Sequence, residues 1–322
     1  MQKARPEEER RNAGRCCRCK IPAEFCHDES YGNSGYAIAL LLKFWWSIAT
    51  RVGMRSVVRV PQRLSSAFEN TICFFDANAA PDVRGYVALT IDDGLCRKLE
   101  RSMVNEVRLL LKRFNATVTF MVCSDYLDGV EEAARELLLD GHEFGNHCEK
   151  DREYASLSAA EFEKAFSNAN TKIEAVTGSQ PRWFRAPMGR YTRTMRRIVE
   201  AKGLQHALTD CYCDDWAIPD PSYISRTMLR QVKDGSILVM HMPERGFREA
   251  SFQAIEQILE GLQARGLQSV TLTRMTELAG WAAPPSAQYT TACAQSSPTS
   301  VESTAATVVM KGPEAQPQLV SL

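Results

Sequence analysis

The pattern of apolar and polar positions divides the chain into four stretches. Residues 1–35 are polar and charged, show no apolar periodicity and read as a disordered, cysteine-containing segment. From Tyr36 to Thr50 the chain turns apolar around Lys43, Trp45 and Trp46, and Arg51, Arg55, Arg59 and Arg63 then recur every four residues. If helical as far as Pro61, that spacing aligns the arginines on one stripe. The apolar run falls short of the ~20 residues a membrane span needs. Residues 36–80 are therefore read as an apolar and basic helical segment with a linker. It docks on the domain that follows, lies against a membrane surface through residues 36–63, or serves as a targeting segment.

From Gly85 strands and helices alternate. Tyr86 to Thr90 reads as a buried strand, and Arg97 to Phe114 as a helix with Leu99, Met103, Val107, Leu110, Leu111 and Phe114 on one face. Ala116 to Val122 is a β-branched strand. A helix over Val130 to Leu139 leads into a strand over His142 to Asn146. Ser158 and Glu161 form a capping box for a long helix ending near Gly178. Strands are then expected at 183–185, 205–209, 236–240 and 269–272, with helices at 192–202, 222–232 and 252–265 between them. Seven strands separated by helices predict an α/β domain over residues 81–280, a (β/α)7-like distorted barrel of parallel strands. Residues 281–322, rich in Ala, Pro, Ser, Thr and Gln, read as a disordered tail.

Composition adds limits. Lys plus Arg equals Asp plus Glu at 39 each, so no global charge draws the chain to nucleic acid or membrane. Of 11 cysteines, Cys123, Cys148, Cys211 and Cys213 fall in strands or at their ends. That usage suits reduced thiols and points to a reducing compartment such as the cytoplasm, with membrane association left open by residues 36–63. Cys16, Cys17, Cys19, Cys26 and His27 are crowded, but their spacing matches no two-plus-two zinc pattern, so they read as a cysteine-rich tail.

Parallel α/β barrels place their chemistry at the C-terminal ends of strands. The first strand runs into Asp92-Asp93-Gly94, two carboxylates that are costly to bury without a metal or an arginine. An Asp-Gly turn is the plain alternative. After the third strand come His147 and Asp151, four apart, which one turn of helix-like backbone would aim alike. Arg185 opens Arg185 to Tyr191 after the fourth strand, Asp214-Asp215-Trp216 follows the fifth, and His241 ends the sixth.

In order, Thr90-Ile91-Asp92-Asp93-Gly94, His147 to Asp151, Arg185 to Gly189, Asp215-Trp216 and Val239-Met240-His241 resemble the five motifs of the nodulation-type polysaccharide deacetylases, carbohydrate esterase family four. The resemblance covers Gly85 to Leu278 and includes chitooligosaccharide deacetylases. It implies that Asp92 is the general base, held by Arg185, and that Asp93 and His147 are metal ligands. The backbone N–H of Met188 would stabilise an oxyanion, and Tyr191 and Trp216 would lie on the substrate side. His241 would be the general acid, tuned by Asp215, with Asp214 as the alternative. The second motif departs from the family, with Cys148 in place of a hydroxyl residue and Asp151 in place of a second histidine. Asp151 is taken as a third ligand. The resulting hard donor set leaves zinc the first expectation and admits cobalt, manganese or magnesium. Three carboxylates around one divalent ion would leave a net negative centre, which gives Arg185 added weight. Cys148 as a ligand is set aside on geometry.

The function implied is removal of acetyl groups from an N-acetylated, or O-acetylated, oligo- or polysaccharide by metal-activated water. Two alternatives remain: hydrolysis of a non-sugar amide on the same scaffold, and a catalytically weak carbohydrate-binding relative, to which the Asp151 substitution lends support.

Overall fold

The computed structural model describes residues 66–281, together with residues 44, 45, 47, 48 and 55. The cysteine-rich segment, the tail after Trp281 and most of the basic stripe lie outside the described residues.

Strand β1 (Tyr86–Gly94) is the axis of the sheet, and every residue after Tyr86 is buried. Its near-continuous apolar run, Val87 to Ile91, is what a parallel strand covered on both faces requires. On one side it pairs with β2 (Thr119–Val122), which pairs with β3 (Glu143–Asn146), then β4 (Trp183–Phe184) and β5 (Gln205–His206), all parallel. On the other side lies β6 (Ile237–His241), and β7 (Gln268–Ser269) pairs with the start of β1. The register sets Asp92 directly beside His241. Between the outer strands β5 and β6 the ring is bridged by isolated pairs: Ile72 with Ala207, Phe74 with Ser236, and Cys211 with Leu238. Seven parallel strands thus form the barrel expected, closed by single bridges where a continuous ladder is missing.

The helices between the strands are α1 (Val104–Arg113), α2 (Glu131–Leu139), α3 (Ala159–Thr177), α4 (Arg193–Ala201), α5 (Pro221–Gln231), α6 (Ala250–Gln263) and α7 (Leu272–Leu278). Helix α3 starts at the Ser158–Glu161 capping box and stops at Gly178, whose φ of 75° provides the left-handed cap. Val107, Leu111, Leu137, Ile224, Met228, Ile255 and Ile258 of the surrounding helices pack with Leu89, Ile91, Phe120, Leu238 and Met240 of the strands. A second apolar cluster joins Phe162, Phe166 and Val199 to Phe184.

Two of the boundaries that differ from expectation have a visible cause. The first helix begins at Val104, seven residues later than Arg97, and Leu99 stands exposed in a short 3-10 turn. The cause is tertiary: the Arg97 N–H is bonded to the Glu244 carboxylate and its guanidinium is drawn to Asp93 and Asp151, which pins this stretch to the barrel rim. The last strand stops at Ser269 because the Thr271 hydroxyl accepts the Arg274 N–H and caps α7.

Arg55, one of the four stripe arginines, is turned onto the domain. Its Nε donates to Asp210 at 2.7 Å, its Nη2 to the Asp234 carbonyl at 2.6 Å, and its guanidinium lies 4.6 Å from the Phe74 ring centre. That geometry is a docking contact of Arg55 itself; the other three stripe arginines lie outside the described residues. No helix among the described residues is long and apolar enough to cross a membrane. Cys73, Cys96, Cys123, Cys148, Cys211 and Cys213 are buried free thiols.

Candidate active site

The site is assembled at the C-terminal ends of the strands, from loops with an unusual backbone. Asp93, Cys148, Met188, Asp214 and Arg248 all have φ between 53° and 63°. Each such left-handed non-glycine residue costs on the order of 1 kcal/mol, and a cluster of them around one rim marks a place where geometry outranks stability.

Asp92 and Arg185 form the first pair. Arg185 Nη1 donates to Asp92 Oδ1 at 2.6 Å and to the Thr90 hydroxyl at 2.7 Å. Its Nε and Nη2 donate to the Ala207 and Leu208 carbonyls. Both side chains are buried, each guanidinium nitrogen of Arg185 has a partner, and its charge faces Asp92.

His241 and Asp215 form the second pair. His241 Nδ1 donates to Asp215 Oδ1 at 2.7 Å, while Asp215 Oδ2 accepts the His241 backbone N–H and the Ser251 hydroxyl. Burial pushes the imidazole pKa down, but the Asp215 charge and hydrogen bond outweigh it, and His241 is held above the ordinary histidine value. Between the two aspartates left open by sequence, Asp215 is the partner. Asp214 instead accepts from the Trp216 indole N–H at 3.0 Å. Trp216 is 42% exposed at the rim.

His147 is oriented by its Nδ1–H, which donates to the Arg185 carbonyl at 2.7 Å. Its Nε2 therefore lies free, 3.5 Å from Asp93 Oδ1 and 3.9 Å from Asp92 Oδ2. No helical turn links it to Asp151. Cys148 takes φ 63° with its N–H bonded to the Asn146 side chain, and the chain reaches Asp151 as a loop. Asp151 thus meets Asp93 through shared cations and not beside His147. Cys148 turns into the apolar cluster under α3, where burial pushes its thiol pKa far up, so it stays a protonated core residue.

Tyr191 is corrected. It is 6% exposed and stacks on His206 with ring centres 3.7 Å apart, so it belongs to the core and offers no face to a substrate. Met188 is 62% exposed on the rim, at the head of the tight turn that Pro187 and Gly189 shape.

Two residues at the centre carried no role in the sequence reading. Arg97 Nη2 donates to Asp93 Oδ2 at 3.0 Å and to Asp151 Oδ2 at 2.7 Å. Arg248 Nη1 donates to Asp93 Oδ2 at 2.5 Å, and its Nη2 lies 3.5 Å from Asp151 Oδ2. Burial pushes the Asp93 carboxyl up, yet Arg248, His241, His147 and Arg97 together hold it well below the carboxylate range. Arg97 had a faint signal, a cation four residues after Asp93. Arg248, 155 residues away, had none.

Residues 79–207 match the family model described as polysaccharide deacetylase. The chain carries a polysaccharide deacetylase domain. The peptidoglycan-N-acetylmuramic acid deacetylase PdaC of Bacillus subtilis is 27% identical over 192 residues, 60% of this chain and 39% of PdaC. A chitooligosaccharide deacetylase of Azorhizobium caulinodans is 27% identical over 191 residues, 56% of this chain and 89% of that protein. Among solved structures, the family 4 acetyl xylan esterase of Clostridium thermocellum, in complex with a cobalt ion, is 28% identical with a TM-score of 0.55, over 62% of this chain and 94% of that one. A CE4 family pseudoenzyme from Bacillus anthracis shares the fold at 20% identity and TM-score 0.56, over 64% of this chain and 68% of that one. The chain spans 51% and 39% of the lengths of the first two curated relatives it matches.

Deacetylase domains of this family are generally dependent on a divalent ion. His147 is prepared for one, with its Nδ1–H fixed by a carbonyl and its Nε2 free. Asp93 and Asp151 are not, because guanidinium groups hold their outer oxygens. Asp92, Asp93 and Asp151 face Arg185, Arg97 and Arg248, so the centre is balanced charge for charge. The net negative centre expected from sequence is therefore absent, and a dication added to this arrangement would meet uncompensated positive charge. As arranged, the donor set does not fit a divalent ion.

Proposed function

We propose that this chain removes acetyl groups from an N-acetylated carbohydrate by acid–base hydrolysis, with O-acetylated sugars as a secondary substrate class. One observation carries the reading: Asp92 and His241 sit side by side on β1 and β6, each with its own counter-ion, Arg185 and Asp215. A module that only binds sugar needs neither the separate clamps nor an imidazole raised for proton donation.

The step follows from the placement. Asp92 accepts a proton from water as that water attacks the acyl carbon. The carbonyl oxygen becomes an oxyanion, to which the Met188 backbone N–H donates, in a site whose fixed dipoles need no reorganisation. Protonated His241 then gives its Nε2 proton to the leaving sugar nitrogen, and acetate and the free amine depart. Trp216 supplies a wall for the sugar ring. The names of the similar proteins, chitooligosaccharide and peptidoglycan deacetylases, support this substrate class.

The test is acetate release from chitin oligomers and from acetylated xylan by the full chain. Asp92→Asn is expected to lower kcat by ~10²–10⁴, the range for loss of a positioned base. Absence of acetate from every substrate, with or without divalent ions, would sink the proposal. The arginine-filled carboxylate pair favours a second reading, a catalytically silent sugar-binding relative. In that case chitin oligomers bind in calorimetry, yet no acetate appears.

A further inference from the structure

Arg97 and Arg248 are not casual surface ion pairs. Their side chains are 26% and 10% exposed, and both guanidiniums lie 4.7 Å from the centre of the same Phe247 ring. Arg97 also lies 5.5 Å from the Tyr126 ring centre. The loops that carry the arginines are tied together: Glu244 accepts the Arg97 N–H at 2.9 Å, and the Arg245 N–H donates to the Arg101 carbonyl at 2.9 Å. The second loop folds back on itself through paired bonds between Glu244 and Phe247, then passes through Arg248 at φ 53°. Arg248 Nε is buried with no hydrogen-bond partner among the described residues, so its place is set by the carboxylates and the ring.

We infer that Arg97 and Arg248 take the place of the divalent ion. They are an internal cation pair that neutralises Asp93 and Asp151, so this chain has little affinity for a divalent metal. The inference rests on charge and packing alone and holds whether or not the chain releases acetate. A metal would have to displace two guanidiniums braced on Phe247 and leave them unpaired in a partly buried site, the arrangement that makes broken buried pairs expensive. The same chain stripped of those charges would expose Asp93 Oδ1 and His147 Nε2 at 3.5 Å, the edge of a tetrahedral site with ligand distances of ~2.1 Å.

The test reads metal, not turnover. The full chain is dialysed against micromolar Co²⁺ or Zn²⁺, and bound metal is counted, with the visible Co²⁺ spectrum as a second readout. The wild type should retain well under one equivalent. Arg97→Met with Arg248→Met, which keeps the apolar stems and removes both charges, should bind Co²⁺ at least ~10-fold tighter. Adding Asp93→Asn to that pair should abolish the gain. Should the double variant not fold, Arg97→Met alone tests the same gain at the more exposed of the two positions. Retention of one equivalent by the wild type, lost in Asp93→Asn, overturns the inference without any arginine variant. A folded double variant that binds no tighter than wild type overturns it as well.

Discussion

His241 and Asp215 show how two neighbouring residues set a pH range. The imidazole must be protonated to donate, and Asp215 keeps its pKa above the ordinary histidine value against the pull of burial. Activity should therefore persist through neutral pH and fall as pH rises through that raised value. Asp215→Asn removes the raising charge and leaves burial unopposed, so the alkaline limb should move down by about one pH unit or more. A pH–rate profile checks this, and an unmoved limb would show that His241 is not the acid. Two other buried histidines act on stability. Burial drives His206 well below its ordinary value, with the Arg185 and His147 charges adding to it, and lowers His142 to about 4. Both folded values lie below the unfolded one, so their contribution is present above the unfolded pKa and is lost as pH falls below it. At pH 5, His142 alone withdraws about 2 kcal/mol, from ~1.4 kcal/mol for each pH unit below its unfolded value. His142→Gln, which retains an acceptor for the Val118 N–H, should narrow the difference in urea midpoint between pH 7.5 and pH 5. At this scale the strand-end residues were legible because buried charge after an apolar strand is conspicuous. The guanidiniums of Arg97 and Arg248 were not, since their partners arrive only when loops far apart in sequence meet.

Among the elements, caps proved more legible than strand lengths. Ser158, Glu161 and Gly178 bound α3 where they were expected, and Thr192 caps α4 through its hydroxyl. These signals are local: one side chain bonds one backbone group within three residues. Strands β4, β5 and β7 hold only two residues each, and the bridges at Ile72 and Phe74 are single pairs, so neither leaves a periodic trace. One glycine shows how tightly the bridge is built. Gly235 has φ 74°, its carbonyl accepts the Phe75 N–H at 2.8 Å, and a Cβ there would fall 2.1 Å from the Phe75 carbonyl oxygen. Gly235→Ala should therefore destabilise the fold by about 2–4 kcal/mol, combining steric clash with a left-handed backbone. Thermal melting measures it, and a loss under ~0.5 kcal/mol, the surface background, would mean the bridge is loose.

At the scale of the molecule, barrel type and order of chemistry were readable because parallel strands alternate with amphipathic helices over a single long run. How the ring closes was not, because closure enlists residues that precede the first strand. Arg55 belongs to that closure. Its partner Asp210 accepts the Ile237 N–H at the head of β6 and the Ser236 hydroxyl, so one carboxylate joins the exit of β5, the entry of β6 and a residue 155 positions upstream. Burial pushes the Asp210 pKa up to about 6 even with Arg55 beside it. A folded value above the unfolded one means that ionised Asp210 opposes folding above pH 6, and that protonation relieves the penalty as pH falls towards the unfolded pKa. Arg55 offsets that penalty only while the carboxylate is charged. Arg55→Ala should thus cost about 2–3 kcal/mol at pH 7.5, below the full price of breaking a buried pair because Arg55 is 21% exposed. The loss should shrink at pH 5, where Asp210 is largely protonated in the folded chain. Chemical denaturation of wild type and variant at the two pH values decides it: an equal loss at both would assign Arg55 to packing against Phe74, not to the charge of Asp210.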